Sequence, residues 1–398
     1  MNKPAENGEA REAREISIFD TTLRDGEQAP RNGMTPKEKL DMALRLEALG
    51  VDVVEVGFPA ASPNDVETTK LAAQALRKAK IATLSRAARA DIMVAVEAGG
   101  TERHQVQLLA VSSDLHLEHK RGISRSDAVR EIRDAVRFAV SLGVTDISVG
   151  LEDASRGALD HLRALVEEGV EAGATTVAVG DTSGCMVPEE FGELIAAIRS
   201  WIPATTILST HCHDDMGLAV ANALAGVCAG ANQIQTTLAG VGERSGNTAL
   251  EEIAAILAYK SQRLGVTSGI KTDGLYETYL ALKSAMRLEN IRNKAIVGSN
   301  AFATAAGIHQ RGVLANPETY EYLEPARFGR ERSILVSRHS GRAVLRYLVR
   351  EQDADLDPEA MGCLYDELIG RRTDADVGTL DEFRVRVADW LADHPART

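Results

Sequence analysis

Asp146-Ile-Ser-Val149, the amphipathic run over 159–172 (LDHLRALVEEGVEA), Gly173 and then Thr175-Thr-Val-Ala-Val179 form the stretch on which the fold turns. A short β-branched run, a helical segment, a glycine and a second β-branched run make one strand–helix unit entering the next. Reading outward, the same unit recurs. Strands over 17–19, 51–56, 81–84 and 105–110 precede helices over 35–49, 63–78, 90–98 and 124–142. After the quoted stretch, strands over 175–179, 206–210 and 233–237 precede helices over 188–201, 218–229 and 249–264. Thr35-Pro36 and Ser62-Pro63 each place a capping residue before a proline at the first helical position. Glycines at 50, 143, 173 and 230 close helices just before the next strand. Eight such pairs over about 250 residues predict an α/β chain with a (β/α)8 TIM barrel. An open doubly wound sheet would have fewer strands and usually a glycine-rich phosphate loop after the first, and no GxGxxG occurs here.

Beyond about residue 270 the rhythm changes. Helical patterns over 272–288, 344–352, 358–371 and 380–394 surround a glycine- and alanine-rich stretch over 296–312. The expected organisation is a flexible tail over 1–14, a barrel over 15–275 and a small, mainly helical C-terminal appendage over 276–398.

The chain has 398 residues, 44% of them apolar but only 4% aromatic, so its core rests on aliphatic side chains suited to helices on a buried parallel sheet. With 45 basic and 58 acidic residues the net charge is −13, which repels phosphate backbones and argues against a nucleic-acid partner. The four cysteines form no CxxC pair, as in a reducing compartment. The polar N-terminus has no apolar core of a signal peptide, and no run approaches the roughly 18 apolar residues of a membrane span. These features predict a cytoplasmic protein with no membrane association.

In a barrel the chemistry sits at the C-terminal strand ends. Here those ends are polar: Asp20 to Gln28, Glu55, Arg86, Ser113 to His116, Glu152 to Arg156, Asp181-Thr182, His211-Cys-His213-Asp214-Asp215 and Gly242 to Asn247. His211 and His213 are two apart on an extended segment, so both imidazoles face one side and can reach one ion. A carboxylate from Asp25 or Asp214 would complete a facial two-histidine, one-carboxylate site with open positions. Arg24 beside Asp25 is either half of a structural ion pair or a donor to a substrate carboxylate or developing oxyanion.

Phe19-Asp-Thr-Thr-Leu-Arg-Asp-Gly-Glu-Gln28, Glu55-Val-Gly-Phe-Pro-Ala-Ala-Ser62, Ser113-Asp-Leu-His116, Asp181-Thr182, His211-Cys-His213 and Gly242-Glu-Arg-Ser-Gly-Asn247 resemble the 2-isopropylmalate synthase and homocitrate synthase family. So do Asn293-Lys-Ala-Ile-Val-Gly-Ser-Asn-Ala-Phe302 and Gly307-Ile-His-Gln310, and the likeness runs in order from about residue 15 to about 350. The resemblance implies a Claisen-type condensation: acetyl-CoA loses a methyl proton, its enolate attacks the ketone of a 2-oxo acid, and thioester hydrolysis releases CoA. It implies Asp25, His211 and His213 as ligands of a divalent metal, Mg2+ or Mn2+ ahead of Zn2+, with Asn247 as a further ligand or near-ligand. It places Arg24 on the ketone oxygen, Thr182 on the substrate carboxylate, and Gln28, Arg86 and His116 in the pocket, with Glu152 in proton transfer. It also implies a homodimer, and a chain without the family's C-terminal leucine-sensing domain.

The departures from the family pattern bear on substrate. Thr304 stands where the family has a histidine associated with deprotonating the acetyl group; its usual partner, Tyr320, is retained. A threonine hydroxyl is too weak a base, so His309, or Glu152 through water, is expected to take the role. Asp214, Ala178 and Gly180 also differ from the isopropylmalate synthase pattern, while Glu152-Asp-Ala-Ser-Arg156 leans toward homocitrate synthases. These differences predict a specialised 2-oxo acid, with an anionic one such as phosphonopyruvate held by Arg86, His119, Lys120 or Arg156. The same metal-bound enolate would equally serve a lyase acting on a hydroxyacyl-CoA or hydroxy-oxo acid.

Overall fold

A computed structural model describes residues 13–371, 373 and 377–395. The expected tail lies mostly outside the described residues. Arg14–Glu15 is ordered as a short strand parallel to Val266–Thr267, and the Arg14 guanidinium donates to the carbonyls of Val227 and Ala231.

The chain divides into two compact units between Glu289 and Asn290. The expected boundary near 275 falls earlier. The difference is the helix Leu275–Met286, which buries Leu275, Tyr279, Leu282 and Met286 and packs on the first barrel helix.

The first unit is a closed barrel of parallel strands: β1 (Ser17–Asp20), β2 (Val53–Gly57), β3 (Lys80–Arg86), β4 (His104–Val111), β5 (Asp146–Glu152), β6 (Thr176–Asp181), β7 (Ile207–Cys212) and β8 (Gln233–Thr236). Each strand pairs with the next, and β8 closes on β1 from Ser17↔Gln233 to Asp20↔Thr236. Helices α1 (Pro36–Leu49), α2 (Pro63–Ala75), α3 (Arg89–Gly99), α4 (Arg125–Ser141), α5 (Leu159–Ala172), α6 (Pro188–Trp201), α7 (Ala219–Cys228) and α8 (Leu250–Leu264) return the chain between strands and follow the last. The helix starts obey the expected chemistry. Thr35 and Glu38 form a capping box ahead of Pro36, and Ser62 accepts from the Asp65 amide.

Strand alternation sorts the side chains into two cores. Val106, Leu108, Ile147, Val149, Val177, Val179 and Leu208 face outward, into the layer shared with Ile132, Val136, Leu165, Phe191 and Ile195 of the helices. The opposite positions, Gln105, Gln107, Ser148, Ala178, Ser209, Gln233 and Gln235, therefore face the lumen, where Phe19, Val53 and Ala82 form a small apolar cluster. A lumen with so many polar side chains needs internal hydrogen bonding, and that bonding organises the site described below.

The second unit is mainly helical, with Gly307–Ala315, Arg342–Glu351, Pro358–Tyr365 and Leu380–Asp393. It also holds a small sheet that the sequence pattern did not suggest: Ala303–Thr304 is parallel to Ser333–Val336, which is antiparallel to Gly378–Thr379. Its own core includes Val336, Leu345, Leu348, Phe383, Val387 and Trp390.

Candidate active site

Asp25 reaches the barrel mouth on an irregular helical turn, Thr22–Gly26, that follows β1. Thr21 shapes this turn. Its hydroxyl accepts from the Asp25 amide at 3.2 Å and donates to Glu55 Oε2 at 2.6 Å. His211 is on β7, and His213 lies just past it, bridged to Asn247 in the loop after β8. Asp25, His211 and His213 come together as the expected triad, with ligand atoms all within 4.8 Å of one another. His211 Nε2 lies 3.3 Å from His213 Nε2 and 3.6 Å from Asp25 Oδ2, and His213 Nε2 lies 3.9 Å from the same oxygen. The alternative carboxylate, Asp214, is turned away and accepts from the Ala219 amide at the start of α7.

The electrostatics suit cation binding. Burial pushes His211 down to about 3, helped by His213 and Arg24 and opposed by Asp25. Burial lowers His213 as well. Both imidazoles are thus neutral at physiological pH, as metal ligands must be. Burial alone would raise Asp25, but Arg24, the two histidines and the Asn247 hydrogen bond hold its carboxyl far below the usual range. Three convergent donors, one of them anionic, could hold a divalent metal; the set of two imidazoles and a carboxylate fits one. Asn247 stands next to the triad: its Nδ2 donates to Asp25 Oδ1 at 2.8 Å, and its Oδ1 is buried with no protein hydrogen-bond partner among the described residues.

Arg24 is only 10% exposed and is clamped on both sides, by Asp25 Oδ2 and Glu55 Oε2, each at 2.8 Å. A cavity of about 290 Å³ opens over this group. Gln28, Glu152, Thr182, Glu243 and Arg244 contribute polar groups to it, and Leu84, Leu109, Leu151 and Ala178 form an apolar wall. Glu152 Oε1 is paired with Lys120 at 2.5 Å, and Glu152 Oε2 lies 3.7 Å from His116 Nδ1. The Thr182 hydroxyl accepts from the Asp153 amide, and its carbonyl accepts from Arg244.

Other expected pocket residues are placed elsewhere. Arg86 is 65% exposed and grips Asp91 through two donors. Arg156 pairs with the buried Asp153. His116 is held between Glu152 and Asp153. None of these three lines the cavity. Arg86 and Arg156 are each taken by a nearby buried carboxylate, Asp91 and Asp153, whose charge would be costly without a partner. Thr304, His309 and Tyr320 belong to the second unit. Thr304 is half-buried in its short strand, while the exposed His309 and Tyr320 rings meet with centroids 4.3 Å apart.

Two site residues escape a motif-based reading, Gln107 and Gln235. Gln235 Oε1 lies 2.9 Å from His211 Nδ1, Gln235 Nε2 donates to Gln107 Oε1 at 3.1 Å, and Gln107 Nε2 donates to Glu55 Oε1 at 3.3 Å. The available signal was the pair of glutamines two apart on each of β4 and β8, on the face opposite the aliphatic positions.

Residues 15–281 match the HMGL-like family, and residues 296–371 match the family described as homocitrate synthase post-HMGL domain-like. The chain is 43% identical over 350 residues to the 2-isopropylmalate synthase of Carboxydothermus hydrogenoformans, covering 87% of this chain and 69% of that one. Against the 2-isopropylmalate synthase of Haemophilus influenzae the identity is 42% over 363 residues, covering 89% and 69%. The fold is also that of hydroxymethylglutaryl-CoA lyase from Pseudomonas aeruginosa, with a TM-score of 0.60 at 21% identity over 70% of this chain and 96% of that one. The chain belongs to the 2-isopropylmalate synthase and homocitrate synthase family, divalent-metal-dependent acyltransferases built on an HMGL-like barrel.

Proposed function

We propose that this protein condenses acetyl-CoA with a 2-oxo acid whose side chain is uncharged and aliphatic, releasing CoA and a 2-hydroxy-2-alkyl dicarboxylate. The observation that carries the choice of acceptor is the cavity itself. Its apolar wall is Leu84, Leu109, Leu151 and Ala178, and the cations expected to hold an anionic head do not line it and are already paired: Arg86 with Asp91, Lys120 with the lining Glu152, Arg156 with Asp153, while Arg244, which does line it, is paired with Asp215. His119 is 67% exposed beside Glu118. A charged head against an aliphatic wall would lose hydration without a partner.

Asp25, His211 and His213 would hold the metal, Mg2+ or Mn2+ ahead of Zn2+; when bound, it supplies Lewis acidity to the oxo acid's oxygens. Arg24, fixed by Glu55, presents its charge to the ketone oxygen as negative charge develops there. Thr182 offers the cavity a hydroxyl for the substrate carboxylate. Glu152 lines the cavity and contacts His116, which supports it as a proton-transfer group for the acetyl methyl. Within the second unit the rings of His309 and Tyr320 meet, which supports this pair as the proton-transfer residues that the family resemblance implies there.

The test is free-thiol release from acetyl-CoA with Mg2+ or Mn2+ and a panel of 2-oxo acids: pyruvate, 2-oxobutyrate, 2-oxoisovalerate, 2-oxoglutarate and phosphonopyruvate. An aliphatic acceptor is expected to show the highest kcat/KM, by tenfold or more. Preference for 2-oxoglutarate or phosphonopyruvate would overturn the acceptor reading. Thiol-free cleavage of a hydroxyacyl-CoA, with no condensation, would point to a lyase.

A further inference from the structure

The metal reading of the site leaves open why His211 should present the correct nitrogen to an ion. We infer that Glu55, Gln107 and Gln235 form a directional relay that fixes the His211 ring with Nδ1 protonated and Nε2 open toward Asp25 and His213, so that these residues act as positioning residues for the metal. The inference rests on the metal-site reading above and adds to it residues that act through His211: Gln107 and Gln235, which line the cavity, and the fully buried Glu55.

The direction of the relay follows from what each group can do. Glu55 is fully buried, and its Oε2 already accepts from the Thr21 hydroxyl and the Arg24 guanidinium. Its Oε1 faces Gln107 and needs a donor, so the Gln107 amide must present Nε2. Turning Gln107 over would set amide oxygen against carboxylate oxygen. With Nε2 committed to Glu55, Gln107 Oε1 faces Gln235 and in turn needs a donor, so Gln235 presents its Nε2. The remaining Gln235 Oε1 lies 2.9 Å from His211 Nδ1. Any single reversal puts two acceptors face to face. The chain of amides is therefore read in one sense, from carboxylate to imidazole, and it requires a hydrogen on His211 Nδ1. In a neutral ring that leaves Nε2 as a lone pair.

That lone pair faces the Asp25 carboxylate, an acceptor, and His213 Nε2, which must be the donor of the pair between the two rings. Nε2 lies 3.6 Å from Asp25 Oδ2 and 3.3 Å from His213 Nε2. Without the relay, the metal-free ring would relax by moving its hydrogen to Nε2 and donating to Asp25. The relay holds the less comfortable tautomer and so keeps the site ready for a cation. His213 has no such support: its Nδ1 is buried with no protein hydrogen-bond partner among the described residues. The two imidazoles are chemically alike, but one is set by the barrel lumen and the other is not. Glu55 also sits at both ends of the arrangement, since the same carboxylate clamps Arg24, which in turn holds Asp25.

The experiment uses the full chain with two readouts. In the metal-free protein, long-range 1H–15N spectra of the histidine rings are expected to show His211 as the Nδ1–H tautomer. In Gln235→Leu that signature should shift toward Nε2–H. Titration with Mn2+ in the absence of substrates should show binding weakened 10–100-fold in Gln235→Leu, the usual scale for losing an orienting partner. Gln107→Leu should weaken binding by a smaller factor, and the double variant should match Gln235→Leu alone, because the residues act in series. A wild-type His211 that is Nε2-protonated would overturn the relay. So would a Gln235→Leu protein with wild-type melting temperature and Mn2+ affinity within twofold of wild type. Should Gln235→Leu fail to fold, Gln107→Leu decides by the same two readouts. Absence of Mn2+ binding by the wild-type protein would instead sink the metal-site reading, and the ring spectra would still test the relay.

Discussion

At the residue scale the site is built on buried charge, and Asp20 shows what burial alone does. It is fully buried at the end of β1, and desolvation, with Glu251 and Glu55 nearby and Thr22 opposing, raises its pKa from 3.8 to about 7. The folded state then keeps a proton between pH 4 and 7 that the unfolded chain has released. Asp20 therefore lowers stability as pH rises through that window, and the loss is complete above pH 7. Asp20→Asn keeps the neutral form and the acceptor for the Thr22 amide. It is expected to match wild type near pH 4 and to exceed it at pH 8 by about 4 kcal/mol, measured by urea unfolding at both pH values. Equal stability at pH 8 would mean that Asp20 ionises without penalty. Asp25, five residues on, behaves oppositely despite similar burial, because Arg24 and two imidazoles surround it.

At the scale of elements, strand ends and the turns after them set the geometry. The HxH spacing on β7 delivers two imidazoles to one face, as an extended segment must. The loop after β8 is less forgiving. Gly242 has φ 158°, and a Cβ there would collide with the Asn247 amide nitrogen and sit 3.0 Å from Asp25 Oδ1. Gly242→Ala is expected to push Asn247 off Asp25 and weaken Mn2+ binding about tenfold. Gly33→Ala, whose added Cβ meets nothing within 4 Å, is the control and should bind as wild type. Calorimetric titration of both variants checks this, and an unchanged Gly242→Ala affinity would show that Asn247 is not needed to hold Asp25.

At the scale of the whole molecule, metal binding and folding are linked. The folded imidazoles are already neutral, His211 near 3 and His213 below its usual value, whereas in the unfolded chain they titrate near 6.5. The unfolded state thus binds protons that the folded state does not, and the metal-free protein loses stability as pH falls below about 6.5. Protons compete only weakly for the folded site in the same range. Mn2+ affinity of the folded protein is therefore expected to change less than about threefold between pH 7.5 and 6, where two ordinary histidines would cost far more. Saturating metal should raise the melting temperature, with a stabilisation of about 2.7 kcal/mol at a hundredfold excess over Kd. Scanning calorimetry with and without Mn2+ at both pH values measures both effects. A steep loss of affinity by pH 6 would show that the histidines are protonated in the folded protein.

The sequence by itself determined the barrel, because eight alternations of β-branched run, capped amphipathic helix and terminal glycine are local signals. It also placed His211 and His213 on one face, since strand alternation is a local rule. It left Asp25 and Asp214 as rival third ligands, and the family resemblance rather than spacing favoured Asp25. Closing the barrel brought Asp25 beside His211, 186 positions along the chain, while Asp214 was taken by a helix amide. The pairing of Arg86 and Arg156 with local carboxylates, and the relay from Glu55 through Gln107 and Gln235, were likewise decided only in three dimensions. A glutamine on a strand has no fixed role until the lumen closes around it. Its two ends then take their sense from whichever buried carboxylate and imidazole the fold has set opposite them.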